Sequence, residues 1–458
     1  MNHSELRRQL WLEITPQRLL ALPAILTLLL LTLFLTVNDN AFWKSLSYCS
    51  LSGFVIFTVF WGGKQVGDAM SDEFTEATWD TQRIGGLDAL EMCVGKLFGA
   101  ACYAWYGGLW LTALYVLAEV KLGQGALLLQ GLPSLAAAAL LAHALALNSA
   151  LLSFRRLGRA STRRPPRGGF VLLLVLVVPN LITALWRSER SVRDVEWYGL
   201  QLPMLDFATL SLIAFAGWAL TSAYRNMRLE LQFRNQPWVW LGFMAFLIVY
   251  LGGFVPDTTV PALAESLGEA MSQPLLLRLA LGSGLAVLLA YGGIFTERKD
   301  PIRLARLVEH LKMQQWRQAA EQLPLWSVNL ALAAALGAAL VIAGFSLLTV
   351  RTAIELLAGI AALLLFAVRD FALVLWCNFG KPVKRADASA LVYLGVLYFV
   401  LPMLLSAFGG QLLMGLTLPY ASFSQPIWVL AGMAWAAAGL DLLRRRWRAL
   451  PQLELALP

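Results

Sequence analysis

Asp72, Glu73, Glu76, Asp80, Asp88 and Glu91 crowd into one stretch, DAMSDEFTEATWDTQRIGGLDALEMCVGK, which runs from Asp68 to Lys96. Acids at that density offer negative charge for something to meet. Glu73, Glu76, Ala77 and Asp80 recur at helical spacing and are expected to line one polar face. Gly85-Gly86 then breaks the helix, and Leu87 to Val94 resumes it amphipathically up to Lys96. Gly95-Lys96 is followed by Leu97 and lacks the first glycine of a nucleotide-binding P-loop, so the stretch is not expected to bind ATP. Cys49, Cys93, Cys102 and Cys377 are scattered, with no CxxC pair and no nearby His at ligand spacing, which points away from zinc and from a redox motif.

The elements that carry this stretch follow from composition. Of 458 residues, 59% are hydrophobic and only 14% charged, and the mean hydropathy is +0.65. A soluble enzyme carries roughly 25% charged residues, so the chain reads as an all-α polytopic membrane protein. Apolar runs of span length fall at 19–37, 45–63, 97–118, 131–153, 170–186, 203–223, 238–255, 275–295, 326–350, 353–376, 388–417 and 426–443, twelve in all. The first is long enough to span and has no small-residue cleavage site, so it is expected to stay in the membrane.

With the N-terminus inside, 29 of the 36 Lys and Arg residues fall on the inner side; Lys44, Lys121, Arg187, Arg190, Arg193, Arg278 and Arg351 remain outside. Both termini are therefore expected in the cytoplasm of a bacterial-type inner membrane. Topology and anionic lipid account for the pI of about 9.4 without nucleic acid. The soluble mass lies inside, at 64–96, 154–169 and 296–325, and FRRLGRASTRRPPRGG at 154–169 reads as a basic linker.

The halves rhyme at an offset of about 220 residues. Trp61-Gly62-Gly63 closes the second span and Tyr291-Gly292-Gly293 the eighth; Trp218-Ala219 and Trp435-Ala436 occupy matching places in the sixth and twelfth. WLEITPQR before the first span has its counterpart in LELQFRNQPW before the seventh. The expected organisation is two parallel six-span halves, 1–235 and 236–458, each opening with an interfacial helix.

Ionisable and amide groups inside spans are functional candidates by default. His143 and Asn148 are expected to hydrogen-bond between helices, Asn180 and Asn329 to act as polar glue, and Arg369-Asp370 to compensate each other locally. Asp206 and Glu355 lie near outer ends and reach water.

The acidic stretch resembles the cytoplasmic coupling loop of type-2 ATP-binding-cassette (ABC) permeases. In that family the second span is followed by an acidic helix, a Gly-Thr-Leu/Trp-acid motif and Gly-Lys at the third span. Here Ala77-Thr78-Trp79-Asp80 stands at the first motif, Glu91 at the acidic position and Gly95-Lys96 at the close, with the family's spacing from Thr78 to Gly95. Ala77 departs from the family glycine, and Gly85-Gly86 replaces the usual Ser/Thr-Pro turn. The likeness covers the first half; in the second, only TERKDPIRLARLVEHLKMQQWRQAAEQLPLW in the 296–325 loop matches by position.

The resemblance implies a non-enzymatic permease that exports by alternating access, driven by a separate cytoplasmic ATPase subunit that binds ATP and Mg. Glu73, Glu76, Thr78, Trp79, Asp80, Gln82, Arg83 and Glu91 would be the coupling residues, with the Trp79 ring giving docking area and the acids orientation. One chain carrying both halves and a homodimer both fit. Two rivals come from other classes: an ion-coupled twelve-span secondary transporter, and a membrane enzyme of glycan or lipid assembly using Arg187, Glu189, Arg190, Arg193, Asp194 and Glu196 of an outer loop. The Gly-x-x-x-Asp-Arg-x-Gly-Arg pattern of major-facilitator transporters is absent after the second span.

Overall fold

A computed structural model describes residues 4–76, 78–86, 88–157, 194–258, 272–379, 386–409 and 415–450. The apolar run at 170–186, Asn180, Ala77, most of the basic linker and the outer-loop residues Arg187, Glu189, Arg190 and Arg193 lie outside the described residues. What is described is helical except for one short β-hairpin, β1 (Asp194–Trp197) and β2 (Leu200–Pro203).

Nine helices among the described residues are long and apolar enough to cross a membrane, and a pair bent by 56°, Ala89–Ala100 with Cys102–Lys121, makes up to ten. The protein is thus an all-α, multi-pass membrane protein. Its outward-facing side chains agree, since Leu20, Leu28, Leu31, Phe34 and Leu35 of one helix are all exposed. Water would not tolerate that face, whereas lipid tails do.

The chain divides into two compact units, Met1–Val195 with Gln201–Asn235, and Glu196–Leu200 with Gln236–Pro458. The first unit begins with α1 (Ser4–Glu13), α2 (Pro16–Thr36) and α3 (Asp39–Phe54). A π-helical segment, Val55–Trp61, joins α3 to α4 (Gly62–Thr75). Together they form a continuous 35-residue helix from Ala41 to Thr75. At about 1.5 Å per residue this exceeds a hydrocarbon core of about 30 Å by some 20 Å, more than one upright crossing needs. Two short helices follow, α5 (Trp79–Ile84) and α6 (Ala89–Val94). A second π-helical segment, Gly95–Ala100, then leads into α7 (Cys102–Lys121), α8 (Gly125–Leu157) and, beyond the hairpin, α9 (Met204–Glu230). In this unit α3 packs on α7, α8 on both α4 and α9.

The second unit contains α10 (Trp238–Gly252), α11 (Pro274–Thr296), α12 (Pro301–Lys312), α13 (Trp316–Gln322), α14 (Leu325–Leu347) and α15 (Val350–Asn378). After these come α16 (Ala386–Gly395), a π-helical segment at Val396–Val400, α17 (Leu401–Gly409) and α18 (Val429–Arg448). Here α11 packs on α14 and α15 on α18. α10 is apolar throughout but only 15 residues long.

The π-helical segments are wide turns that free backbone carbonyls. Two of the freed groups are taken up by ring N–H donors. His143 Nε2 lies 2.9 Å from the Thr58 carbonyl, which can only accept, and Trp105 Nε1 donates to the Leu97 carbonyl at 3.3 Å. Gly62 makes room for the imidazole, because a Cβ there would stand 2.5 Å from His143 Nε2.

Candidate functional site

The loop between α4 and α7 is built from two layers, an outer charged surface and an inner ionic bolt. α4 ends where Thr78 turns back on it, its N–H donating to the Glu73 carbonyl at 3.1 Å and its hydroxyl at 3.3 Å. α5 then starts with Trp79, which is 3% exposed and lies edge-on to Phe74 at 5.2 Å, inside a core that includes Met70 and Met92. Gly86 takes a left-handed φ of 69°, a conformation that costs other residues but not glycine. Asp88 caps α6 by accepting from the Ala89 N–H at 2.8 Å.

Beneath this surface Lys96 is 0% exposed and pairs with Glu5 Oε1 at 3.0 Å and with Glu73 Oε1. Arg8 pairs with the same two carboxylates, Gln9 donates to Glu5 at 3.0 Å, and Gln82 donates to Glu73 at 2.6 Å. Two cations and two anions thus neutralise one another, with Lys96, Glu5 and Glu73 buried and Arg8 closing the cluster from the exposed side. α1 reaches this point because Gly95 and Gly99 leave a groove across the π-helical segment. A Cβ at Gly95 would lie 2.4 Å from Glu5 Cγ, and one at Gly99 would lie 2.6 Å from Gln9 Cβ. Glu91 closes the start of α1, accepting from the Ser4 N–H at 2.6 Å and its hydroxyl at 2.7 Å. Burial alone would raise the Glu5 pKa, but the Arg8 hydrogen bonds, the Lys96 charge and Gln9 hold it down, to about 2. Hydrogen bonding to Glu5 raises that of Arg8.

The residues expected to form one polar face are therefore separated. Glu73 is turned inward because α4 stops at Thr75 and α5 restarts at Trp79, so the face does not run continuously from Glu73 to Asp80. The Trp79 ring, expected to give area to a partner, gives it to the protein's own core. Gln82 and Glu91 are committed to internal bonds, and Arg83 is half-buried. Glu76, Thr78 and Asp80 are exposed, as is Asp88. At the turn Ile84 is 85% exposed, with the exposed Asp80 and Asp88 four residues to either side of it in sequence. Glu5, Arg8, Gln9 and Ile84 were not among the expected residues. The Gly95-x-x-x-Gly99 spacing is the sequence signal that marks the groove for α1.

The second unit's loop between α11 and α14 is anchored differently. Asp300 caps α12 by accepting from the Ile302 N–H at 2.9 Å. Arg303 closes the α12–α13 base on the Gln322 and Leu323 carbonyls at 3.0 and 3.1 Å. Glu297 accepts from the Leu325 N–H at 3.0 Å, the first of α14; its burial pushes its pKa up against the pull of Arg303. The unit's buried charges lie deeper. Asp370 Oδ1 pairs with Arg369 at 2.7 Å, and its Oδ2 accepts from the hydroxyls of Tyr291 at 2.6 Å and Tyr398 at 2.7 Å. The Arg369 guanidinium sits over the rings of Phe366, Tyr398 and Trp435 at 4.6, 4.9 and 5.6 Å.

Asn148 joins α8 to α9, donating to the Ala219 carbonyl at 3.0 Å and accepting from Ser222 and Asn226. Asn329 accepts from Trp240 at 2.7 Å, and Glu355 pairs with Arg351 at 3.1 Å. Among the described residues no three His, Cys, Asp or Glu side chains are placed to hold a metal ion. No family model matches the chain, nor does any curated protein or solved structure.

Proposed function

We propose that the protein is the membrane-spanning permease of a transporter whose energy comes from a separate cytoplasmic ATPase that binds ATP and Mg, with cargo moved by alternating access and in the export direction. One observation carries this reading. A single helix runs from Ala41 to Thr75, longer than a bilayer crossing needs, and ends in a compact knob whose inner side is bolted by Lys96 and whose exposed residues include Ile84, Glu76, Asp80 and Asp88. A force applied to that knob passes into the span without loss in a flexible tether. Exposed acids with an apolar residue between them in sequence suit a basic partner surface with an apolar pocket.

Twelve spans follow if the bent pair, the short α10 and the apolar run at 170–186 are added to the nine long helices. The shared internal wiring, second span on third and fourth on last in each unit, supports two six-span halves at 1–235 and 236–458. The lysine and arginine distribution favours an inner membrane with both ends in the cytoplasm.

The protein isolated by affinity from its own membranes is expected to hydrolyse ATP through a co-purifying subunit, while the chain expressed alone does not. Hydrolysis absent from the native isolate would reject the proposal. A second reading, ion-coupled transport, is favoured by Asp370 with its two tyrosines inside the membrane; uptake driven by a proton gradient without nucleotide would decide for it.

A further inference from the structure

Residues 301–322 form a hairpin with a well-fixed turn and an uncovered apolar tip. Gln314 adopts a left-handed φ of 56° as α12 ends. The Gln315 N–H returns to the His310 carbonyl at 2.9 Å, and the His310 ring meets Gln315 Oε1 at 2.8 Å. The base is closed by Arg303 on the α13 end. At the tip Trp316 is 67% exposed, and Val308, Leu311 and Met313 are exposed beside it. Arg306, Lys312 and Arg317 are exposed on the same hairpin, whereas the acids Glu309 and Glu321 are half-buried.

Position and charge together identify what covers this tip. The hairpin starts four residues after α11 and ends two residues before α14, both of span length. α12 is only about 18 Å long, so the whole hairpin stays within reach of the headgroup layer. Tryptophan with aliphatic neighbours and bases on the same element is the pattern of a helix lying at an anionic lipid surface. α1 repeats it on the first unit, where Trp11 is 81% exposed on the same helix as Arg7 while Glu5 and Gln9 face the protein.

We propose that hairpin 301–322 lies on the surface of the bilayer that the protein spans and binds anionic phospholipid. Val308, Leu311, Met313 and Trp316 enter the boundary between headgroups and acyl chains, and Arg306, Lys312 and Arg317 hold the phosphates. The hairpin depends on the bilayer and not on transport, so its failure would leave the permease reading standing, and the reverse.

The test uses the full chain with its four cysteines replaced by alanine and one spin label at Met313→Cys or, as a control, at Ile84→Cys. It is reconstituted into vesicles of phosphatidylcholine alone or mixed with phosphatidylglycerol. In the mixed vesicles the label at 313 is expected to collide severalfold less with an aqueous nickel chelate, and more with oxygen, than the label at 84. Replacing Arg306, Lys312 and Arg317 by glutamine should return it to water. Equal nickel accessibility at both positions overturns the proposal, and so does protection that arises only when a protein partner is added. Should the alanine background fail to fold, brominated phosphatidylglycerol is expected to quench the native chain more than Trp316→Phe; equal quenching also overturns it.

Discussion

The two inter-span loops occupy the same place in the order of their units but spend their charges in opposite ways. The first, from Gly62 to Lys96, buries Lys96 and Glu73 with Glu5 of α1, under an exposed Arg8, and leaves Glu76, Asp80 and Asp88 outside with Ile84. The second, from Glu297 to Pro324, buries one cation, Lys299, in a pair with Asp387 at 2.7 Å and turns Arg306, Lys312, Arg317 and Trp316 outward. Its unit keeps a pair with both members buried inside a span, at Arg369-Asp370. In the roles proposed above, the loop bolted to its own helices would transmit displacement, and the loop with a basic apolar tip would settle on a surface. The difference teaches that position in the order of elements does not fix how a loop is held; where its charges are neutralised does.

The comparison breaks most readily at the bolts. Lys96→Met leaves Glu5 and Glu73 buried with Arg8 alone and should cost about 3–5 kcal/mol, read as a fall in the thermal midpoint of the purified protein. Asp370→Asn, which strands Arg369, should cost a similar amount in the second unit and leave α1 in place. Gly95→Val excludes Glu5 from its groove, so α1 should detach and become open to proteolysis while the spans remain protected.

Acid sharpens the contrast. Glu5 is held near 2 in the folded protein against an ordinary value of 4.5, so its contribution is complete above about pH 4.5 and is lost as pH falls toward 2. The Glu297 pKa is raised, so protonation relieves a cost there as pH falls through its folded value. Hydrogen exchange followed from neutral to acidic pH should therefore loosen α1 before the α11–α14 junction. The smallest effect is expected at Ile84→Ser, within about 0.5 kcal/mol, because the side chain touches little; a large loss of stability would mean that the tip packs on something in the protein itself.

Much of the helical architecture was legible because lipid imposes it: span-length apolar runs follow from composition alone. The acids of the first loop were legible as a cluster. Their division into buried and exposed was not, since Glu73 meets Lys96 and Glu5 only through folding, and Glu5 lies on a helix far away in sequence. Trp79 among acids reads equally well as a docking ring or a core ring, and the restart of the helix at that residue decides between them. The length of the second span was also hidden. Glycines and polar residues after Trp61 suggest a loop, yet α4 continues to Thr75 because α8 covers one of its sides. Arg369-Asp370 was legible as a compensated pair, but not Tyr291 and Tyr398, which arrive from two other helices.

The most direct measurement compares ATP hydrolysis in affinity isolates from native membranes carrying either the unaltered chain or the triple variant Glu76→Lys, Asp80→Lys, Ile84→Ser. The variant is expected to keep its thermal midpoint and lose the co-isolated hydrolysis. Hydrolysis retained in full by a properly folded variant, or missing from the unaltered isolate, would contradict an external motor gripping this knob.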